Sequence, residues 1–160
     1  GFGGIARAVA TRARAFGMRA AAFDPHLPEG DPAWSGAARH GFRDLLAAAD
    51  VVSLHVPLTQ ETRGLIGPET LAAMKPGAIL INTARGGVVD EPALAAALKS
   101  SHLGGAALDV FETEPVGAAL GAVFADVPNL ILTPHIAGVT GESNAAVSHV
   151  TAQNVLGALA

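Results

Sequence analysis

The chain has 160 residues, about the size of one domain, and half of them are apolar, so a packed core is expected and disorder is not. A formal net charge of −4, the lack of a basic run and an aromatic content of 4% argue against a nucleic-acid partner. Cysteine is absent, which excludes disulfides and cysteine-ligated metals, and no apolar run approaches the roughly 18 residues that span a bilayer. No signal peptide is visible, and we expect a cytoplasmic protein without a membrane partner.

Short apolar runs alternate with alanine-rich stretches along the chain. The pattern predicts helices over Gly4–Phe16, Phe42–Ala49, Pro68–Met74, Glu91–Lys99, which Asp90 caps, and Glu142–Leu159 at the end of the chain. It predicts strands over Arg19–Phe23, Asp50–Val56, Ala78–Asn82, Gly105–Val110 and Asn129–Thr133. A loop over Asp24–Gly41 holds a short strand at Ala38–His40. In the first helix, Ile5, Val9 and Phe16 lie roughly on one face. The strands are continuous apolar runs, which is typical of strands covered by helices on both faces. The predicted fold class is therefore α/β with a mostly parallel sheet.

The first six residues, Gly1-Phe2-Gly3-Gly4-Ile5-Ala6, fit the glycine fingerprint of dinucleotide-binding folds. Glycines allow a tight turn and a close approach of the backbone to a pyrophosphate, and the helix that follows offers free N–H groups. Asp24 lies 23 residues after Gly1, at the end of the next strand, where a carboxylate can bind both ribose hydroxyls and repel a 2′-phosphate. NAD is therefore favoured over NADP. The alternative is a glycine turn with a capping aspartate.

This fingerprint normally follows the central strand of a doubly wound (Rossmann) sheet, and no such strand precedes Gly1. We therefore expect residues 1–160 to form an incomplete NAD-binding domain whose first strand is missing from this chain. A sheet without that strand has unpaired edges, so we expect these residues alone to aggregate or to melt without cooperativity.

Three later segments, with Gly1–Ala6 and His55–Leu58, resemble the D-isomer-specific 2-hydroxyacid dehydrogenase family over nearly the whole chain. They are Ile81-Asn82-Thr83-Ala84-Arg85-Gly86-Gly87-Val88-Val89-Asp90, Leu108-Asp109-Val110-Phe111-Glu112-Thr113-Glu114-Pro115 and Leu132-Thr133-Pro134-His135-Ile136-Ala137-Gly138. The resemblance implies a two-domain enzyme with its active site in the cleft, of which this chain carries the NAD-binding domain and lacks the substrate domain. It also implies reversible hydride transfer between NAD and a small D-2-hydroxyacid/2-ketoacid pair, and homodimers formed through the NAD-binding domains.

Arg85 and His135 are the candidate residues for the chemistry of such a reaction. Both follow predicted strands, at the carboxyl edge where ligands bind in open α/β sheets. The planar fork of Arg85 can hold a carboxylate and a ketone oxygen together, the alternative being a surface arginine. The imidazole of His135 can exchange a proton at neutral pH, the alternative being a structural histidine at a strand end.

The resemblance adds Glu114, which would contact the ring nitrogen of His135 that faces away from the substrate. Such a carboxylate fixes the tautomer and stabilises the imidazolium. The sequence alone does not establish this contact, because 21 residues separate Glu114 from His135. Glu112, two positions away, is a rival partner for His135, but the family pattern favours the acid before the proline. The alternative is that Glu114 is a solvated loop acid.

The resemblance also implies further contacts to the cofactor. Asp109 would meet the nicotinamide end, the alternative being a capping aspartate. The cofactor-binding set implied in this way comprises Gly1, Gly3, Gly4, Ile5, Asp24, Val56, Pro57, Thr62, Thr83, Ala84, Arg85, Asp109, His135 and Gly138. No metal site is expected, because the six histidines lack ligand spacing, and His55 is expected to be a satisfied core residue.

Other functions stay open at this point. The family includes NAD-sensing corepressors that keep the same three residues, so a non-catalytic binding protein is one alternative. Formate and phosphite dehydrogenases share the scaffold, although formate enzymes place glutamine where Glu114 stands. An inactive truncated chain is a third alternative. The substrate itself is set largely by the absent domain.

Overall fold

The computed structural model describes the backbone of residues 1–159 and their side chains, except those of residues 119 and 120. The helices are α1 (Gly4–Ala15), α2 (Phe42–Ala48), α3 (Pro68–Ala73), α4 (Glu91–Lys99), α5 (Ala118–Val123) and α6 (Gly141–Leu159), and a 3-10 helix spans Pro32–Gly36. The strands are β1 (Ala21–Ala22), β2 (Ala38–Arg39), β3 (Val51–Leu54), β4 (Ile79–Asn82), β5 (Gly105–Leu108) and β6 (Leu130–Leu132).

All of these strand pairings are parallel, and the strands form two sheets. β1 pairs with β2, with Ala21 opposite Ala38. The larger sheet has the order β3-β4-β5-β6, and Val51, Ile79 and Gly105 stand side by side where its strands begin. This arrangement confirms the predicted parallel α/β fold. Because the strands run in one direction, the loops that follow β4, β5 and β6 leave the sheet at the same edge.

The main core lies between the larger sheet and the helices that connect its strands. Leu80 of β4 and Leu94 of α4 have no exposed surface, and Leu98 packs one turn after Leu94 on the same face of the helix. Each such side chain stabilises the fold by about 1.5–3 kcal/mol. This packing gives the carboxyl edge of the sheet a rigid base.

A smaller core joins α1 to β1 and β2. Phe2 is buried there with Ala6 and Ala22, and its ring stacks on that of Trp34 with the centroids 5.4 Å apart. The second residue of the glycine segment is therefore an anchor, which holds the turn against the helix and the first strand.

The apolar residues on the predicted face of α1 take no part in this core. Ile5, Val9 and Phe16 are exposed by 73%, 43% and 87%, respectively. The helix contacts its neighbours through Ala6 instead, because a small side chain lets the helix approach the strands closely.

The predicted and observed elements differ mainly at their ends. The strand expected over Arg19–Phe23 is limited to two residues, because β1 pairs along only one of its edges among the described residues. Asp90 caps α4 as predicted, since its Oδ1 accepts the N–H of Ala93 at 2.9 Å. The sequence pattern predicts neither the 3-10 helix nor α5, since such short helices carry little periodic signal. Among the described residues, none of the helices has both the length and the hydropathy needed to cross a membrane.

Candidate active site

The glycine segment is tightly packed on one side and open on the other. A Cβ at Gly1 would lie 2.4 Å from the backbone oxygen of His55, so no larger residue fits there without a backbone shift. Cβ atoms at Gly3 and Gly4 would meet nothing within 4 Å. No described side chain caps the N-terminus of α1, whose N–H groups and positive dipole end suit an anion. These features fit the pyrophosphate of a dinucleotide.

Asp24 lies two residues after β1 and faces the glycine segment. Its Oδ2 accepts the N–H of Phe2 at 2.8 Å, and its Oδ1 accepts the N–H of His26 at 2.9 Å. Burial opposes ionisation, but these two N–H groups outweigh it and hold the pKa of Asp24 below its ordinary value. A cavity of about 260 Å³ lies beside this carboxylate, and it is lined by Phe23, Asp24, Pro25, Arg39, His40 and Gly41. The charged carboxylate and the cavity fit the adenosine end of a dinucleotide. The sequence does not predict Arg39 and His40 at this site. They lie at the end of β2 and directly after it, and only the fold brings them beside Asp24.

The loop after β3 lies next to the glycine segment. The Cγ1 atom of Val56 is 3.1 Å from the position of a Cβ on Gly1. The hydroxyl of Thr62 donates to the oxygen of Pro57 at 2.6 Å and accepts the N–H of Thr59 at 2.8 Å. Thr62 therefore holds this loop in shape, and the cofactor contacts expected of Val56, Pro57 and Thr62 stay predictions.

Asn82 shapes the loop that carries Arg85. Its side chain is buried at the end of β4, where Oδ1 accepts the N–H of Ala84 and Nδ2 donates to the oxygen of Arg85, both at 3.0 Å. The exposed guanidinium of Arg85 donates to the oxygen of Ala84. Sequence reasoning missed Asn82, although an amide that ends the apolar run Ala78–Asn82 is a usable signal. The cofactor roles of Thr83 and Ala84 stay predictions.

The loops after β4 and β5 meet backbone to backbone. A Cβ at Gly86 would lie 1.8 Å from the oxygen of Phe111 and 2.7 Å from the nitrogen of Glu112. Gly86 therefore places the Arg85 loop directly against the segment that leads to Glu114.

Glu114 and His135 are in direct contact, as the family resemblance implies. Nδ1 of His135 lies 2.7 Å from Oε2 of Glu114, and the N–H of Phe111 donates to Oε1 at 2.9 Å. These hydrogen bonds hold the pKa of Glu114 below its ordinary value. Because an ionised carboxylate only accepts, Nδ1 carries a proton, and Nε2 is the ring nitrogen that does not contact Glu114.

The rival acid Glu112 points elsewhere. Its Oε1 lies 3.0 Å from Nη1 of Arg63, a residue after β3. The pair is more than half exposed on both sides, so its contribution to stability is small. The geometry therefore selects Glu114 as the partner of His135. Arg63 was not among the sequence candidates, because an ion pair across 49 residues leaves no local pattern.

Asp109 supports the segment on which His135 lies. Its buried carboxylate accepts the hydroxyl proton of Thr133 at 2.5 Å and the N–H groups of Ile136 and Ala137 at 2.9 Å each. Burial favours the neutral form, but these donors outweigh it and hold the pKa of Asp109 below its ordinary value. His135 itself has a φ of 55°, an uncommon left-handed conformation that the anchored neighbours maintain. The nicotinamide contacts expected of Asp109 and Gly138 stay predictions.

Two other histidines, His55 and His102, form hydrogen bonds that serve the structure. Nε2 of His55 lies 3.0 Å from the hydroxyl of Ser53, and Nε2 of His102 lies 3.0 Å from the oxygen of Leu71. Burial lowers the pKa of His55. Within residues 1–159, the side chains described include no group of three or more metal-ligating residues.

The structure thus joins Glu114 to His135 directly and joins the Arg85 loop to the Glu114 segment through Gly86. In the described part of the chain, the guanidinium of Arg85 makes no hydrogen bond or ion pair with Glu114 or His135. The arginine follows β4, the glutamate follows β5 and the histidine follows β6, so all three lie at the carboxyl edge of one sheet.

Comparison with known proteins places this arrangement in a family. Residues 1–137 match the family model described as the D-isomer specific 2-hydroxyacid dehydrogenase, NAD binding domain. The chain is 58% identical over 160 residues to the (S)-sulfolactate dehydrogenase of Chromohalobacter salexigens, with 99% of the chain and 51% of the relative covered. It therefore spans about half the length of that relative.

Solved structures agree with this match. A glyoxylate reductase from Paecilomyes thermophila superposes with a TM-score of 0.89 at 40% identity, covering 99% of this chain and 47% of the other. A D-lactate dehydrogenase from Aquifex aeolicus, complexed with NAD and lactic acid, has a TM-score of 0.87 at 35% identity and covers 99% of this chain and 51% of the other. The glycine segment and the Glu114–His135 pair thus lie in a fold shared with these enzymes. The chain belongs to the D-isomer-specific 2-hydroxyacid dehydrogenase family and carries its NAD-binding domain.

Proposed function

We propose that the native protein containing this chain transfers hydride between NAD and a D-2-hydroxyacid/2-ketoacid pair, with His135 as the general acid and base. The observation that carries the proposal is the 2.7 Å contact between Nδ1 of His135 and Oε2 of Glu114. A histidine held in one tautomer by a carboxylate, at the carboxyl edge of a parallel sheet, is suited to move the proton of a hydroxyl group.

The proton passes through the free ring nitrogen of His135. In oxidation, Nε2 takes the hydroxyl proton of the hydroxyacid, and Glu114 stabilises the imidazolium that forms. In reduction, the imidazolium returns this proton to the developing alkoxide. Asp109 keeps the ring in place through Thr133, Ile136 and Ala137.

Arg85 binds the substrate in this proposal. Its guanidinium is exposed at the carboxyl edge of the sheet and can turn from the oxygen of Ala84 to a carboxylate. Two parallel N–H···O bonds to a carboxylate fix both position and orientation. Gly86 supports this role, because it sets the Arg85 loop against the Glu114 segment.

The glycine segment and Asp24 would hold the dinucleotide. Gly1, Gly3 and Gly4 would bind the pyrophosphate, and Asp24 would bind the adenosine ribose. When bound, NAD supplies the hydride acceptor. The remaining proposed contacts are made by Ile5, Val56, Pro57, Thr62, Thr83, Ala84, Asp109 and Gly138.

We further propose that residues 1–160 form one domain of a cytoplasmic homodimer that acts on small acids and binds neither nucleic acid nor membranes. The formal net charge of −4 and the absence of a basic run support the exclusion of nucleic acid. The mass of the purified native protein in solution by light scattering tests the dimer.

Turnover of the native protein tests the proposed activity. We expect it to oxidise NADH with at least one 2-ketoacid from a panel comprising the keto counterparts of sulfolactate, glycerate, 3-phosphoglycerate and lactate. The 58% identity to a sulfolactate dehydrogenase favours the first of these. Saturable NADH binding without turnover of any member would contradict the proposal and favour an NAD-sensing binding protein.

A further inference from the structure

Glu91 is a buried carboxylate to which the proposed chemistry assigns no role. It is the first residue of α4 and is 7% exposed, whereas acids are almost never so buried unless they have a partner. Its Oε1 accepts the backbone N–H of Glu112 at 2.8 Å. Burial raises the pKa of Glu91, and the nearby charges of Glu112 and Asp90 act in the same direction. The carboxylate is therefore held here at a cost in stability.

The N–H group that Glu91 binds lies in the short segment between β5 and the catalytic pair. One residue before it, the N–H of Phe111 donates to Glu114, and Glu114 contacts His135 through its other oxygen. Fixing the backbone at Glu112 thus fixes the turn that holds the Glu114 carboxylate.

The ring of Phe111 anchors the start of this segment in the main core, where it meets the ring of Phe124 edge-on with the centroids 6.4 Å apart. The backbone at Glu112 has two further supports, a steric contact and an exposed ion pair. Gly86 packs against the backbone of Phe111 and Glu112. This packing stops the two loops from moving closer together, but it does not stop them from separating. The pair between Arg63 and Glu112 is exposed and weak. The hydrogen bond from the N–H of Glu112 to Glu91 is part-buried and short, so it restrains the backbone at Glu112 more strongly than the exposed ion pair does.

We propose that Glu91 is a positioning residue, which anchors the segment Phe111–Glu114 so that Glu114 stays on Nδ1 of His135. Its effect on catalysis rests on the proposed function. Its effect on the His135 ring does not, because the anchored contact exists without substrate.

The test compares three variants of the native protein. Glu91→Met has a similar volume but no acceptor, Glu91→Gln keeps an acceptor oxygen for the N–H of Glu112, and Glu69→Gln removes an exposed acid from the first turn of another helix. We expect Glu91→Met to lower kcat for ketoacid reduction by about 10- to 100-fold, as small displacements of catalytic groups do. The Gln variants are expected to stay within about twofold of the wild type, since both keep the groups that position Glu114.

The ring nitrogen shifts of His135, measured by NMR and assigned with His135→Gln, provide a readout that needs no turnover. In the wild type they should report a proton on Nδ1, because Glu114 accepts there. Glu91→Met should shift the ring toward the tautomer mixture of free imidazole, and Glu91→Gln should not. If the wild type turned over no ketoacid, the proposed function would fail while this comparison still tested the anchor.

Two results would overturn the inference. One is a Glu91→Met protein with unchanged ring nitrogen shifts. The other is a Glu91→Met protein that no longer folds by circular dichroism while Glu91→Gln does, because the carboxylate would then serve folding alone.

Discussion

Gly86 and Phe111 touch through their backbones: a Cβ on the glycine would stand 1.8 Å from the carbonyl oxygen of the phenylalanine. They belong to loops that follow neighbouring strands, so this contact sets the distance between the Arg85 loop and the Glu114 segment. The site therefore depends on a residue that has no side chain.

We expect Gly86→Ala to push these two loops apart. Overpacking of this kind costs about 1–3 kcal/mol, and both turnover and the melting temperature should fall. Gly117→Ala is the control, because a Cβ at Gly117 would meet nothing within 4 Å. Thermal melts and turnover of both variants check the prediction, which fails if the two behave alike.

Asp109 supports the His135 segment in a pH-dependent way. Its pKa is lowered in the folded protein, so it stabilises the fold above the pKa of the unfolded chain and loses this effect as the pH falls through the folded value. At pH 7, Asp109→Asn should destabilise the protein by about 1–3 kcal/mol, because the part-buried N–H groups of Ile136 and Ala137 lose a charged acceptor.

Melting temperatures from pH 7 to pH 3 check this expectation. The difference between wild type and Asp109→Asn should shrink as the pH falls below about 4. A difference that stays constant over this range would show that the charge of Asp109 contributes nothing.

The parallel sheet and the placement of Arg85 and His135 at its carboxyl edge could be predicted, because apolar runs identify strands and ligands bind where parallel strands end. The contact between Glu114 and His135 came from family resemblance, since no local pattern links residues that are 21 positions apart. The exposed face of α1 shows the limit of periodicity, which identifies an apolar face but not what covers it.

The sequence analysis did not identify Asn82 and Glu91 as supports of the site, and only Asn82 carries a local signal, as the amide that ends an apolar run. Each is polar and buried, and its partner is backbone that only the folded chain brings near. Composition and the spacing of side chains do not identify such contacts, because the partners are backbone N–H and carbonyl groups, which do not distinguish one residue from another.

Asp24 sets the choice between the two dinucleotides in this account. Its lowered pKa keeps the carboxylate ionised, and such a charge would repel a 2′-phosphate, so Asp24→Ser should shift the ratio of kcat/KM for NADPH over NADH upward by about tenfold or more. Asp31→Ser removes a charge from the same region but keeps a capping oxygen for Ala33, and it should leave the ratio unchanged. Equal ratios in the wild type and Asp24→Ser would remove this role.

Glu114→Gln tests the coupling between the glutamate and the histidine. The contact that lowers the pKa of Glu114 also favours the imidazolium, so loss of the charge should make protonation of the ring harder. Oxidation of the hydroxyacid requires the neutral ring, and the acidic limb of its rate–pH profile should move to lower pH. An acidic limb that does not move would rule out the coupling.

The most direct test of the account compares turnover with NADH affinity in the His135→Gln variant of the native protein. General acid–base catalysis contributes about 10²- to 10⁴-fold, so kcat should fall by at least about 100-fold. The dissociation constant of NADH, measured by its fluorescence, should stay within about threefold, because the variant leaves the glycine segment and Asp24, the proposed main contacts of the dinucleotide, unchanged. Turnover close to that of the wild type would contradict the assignment of His135 as the residue that moves the proton.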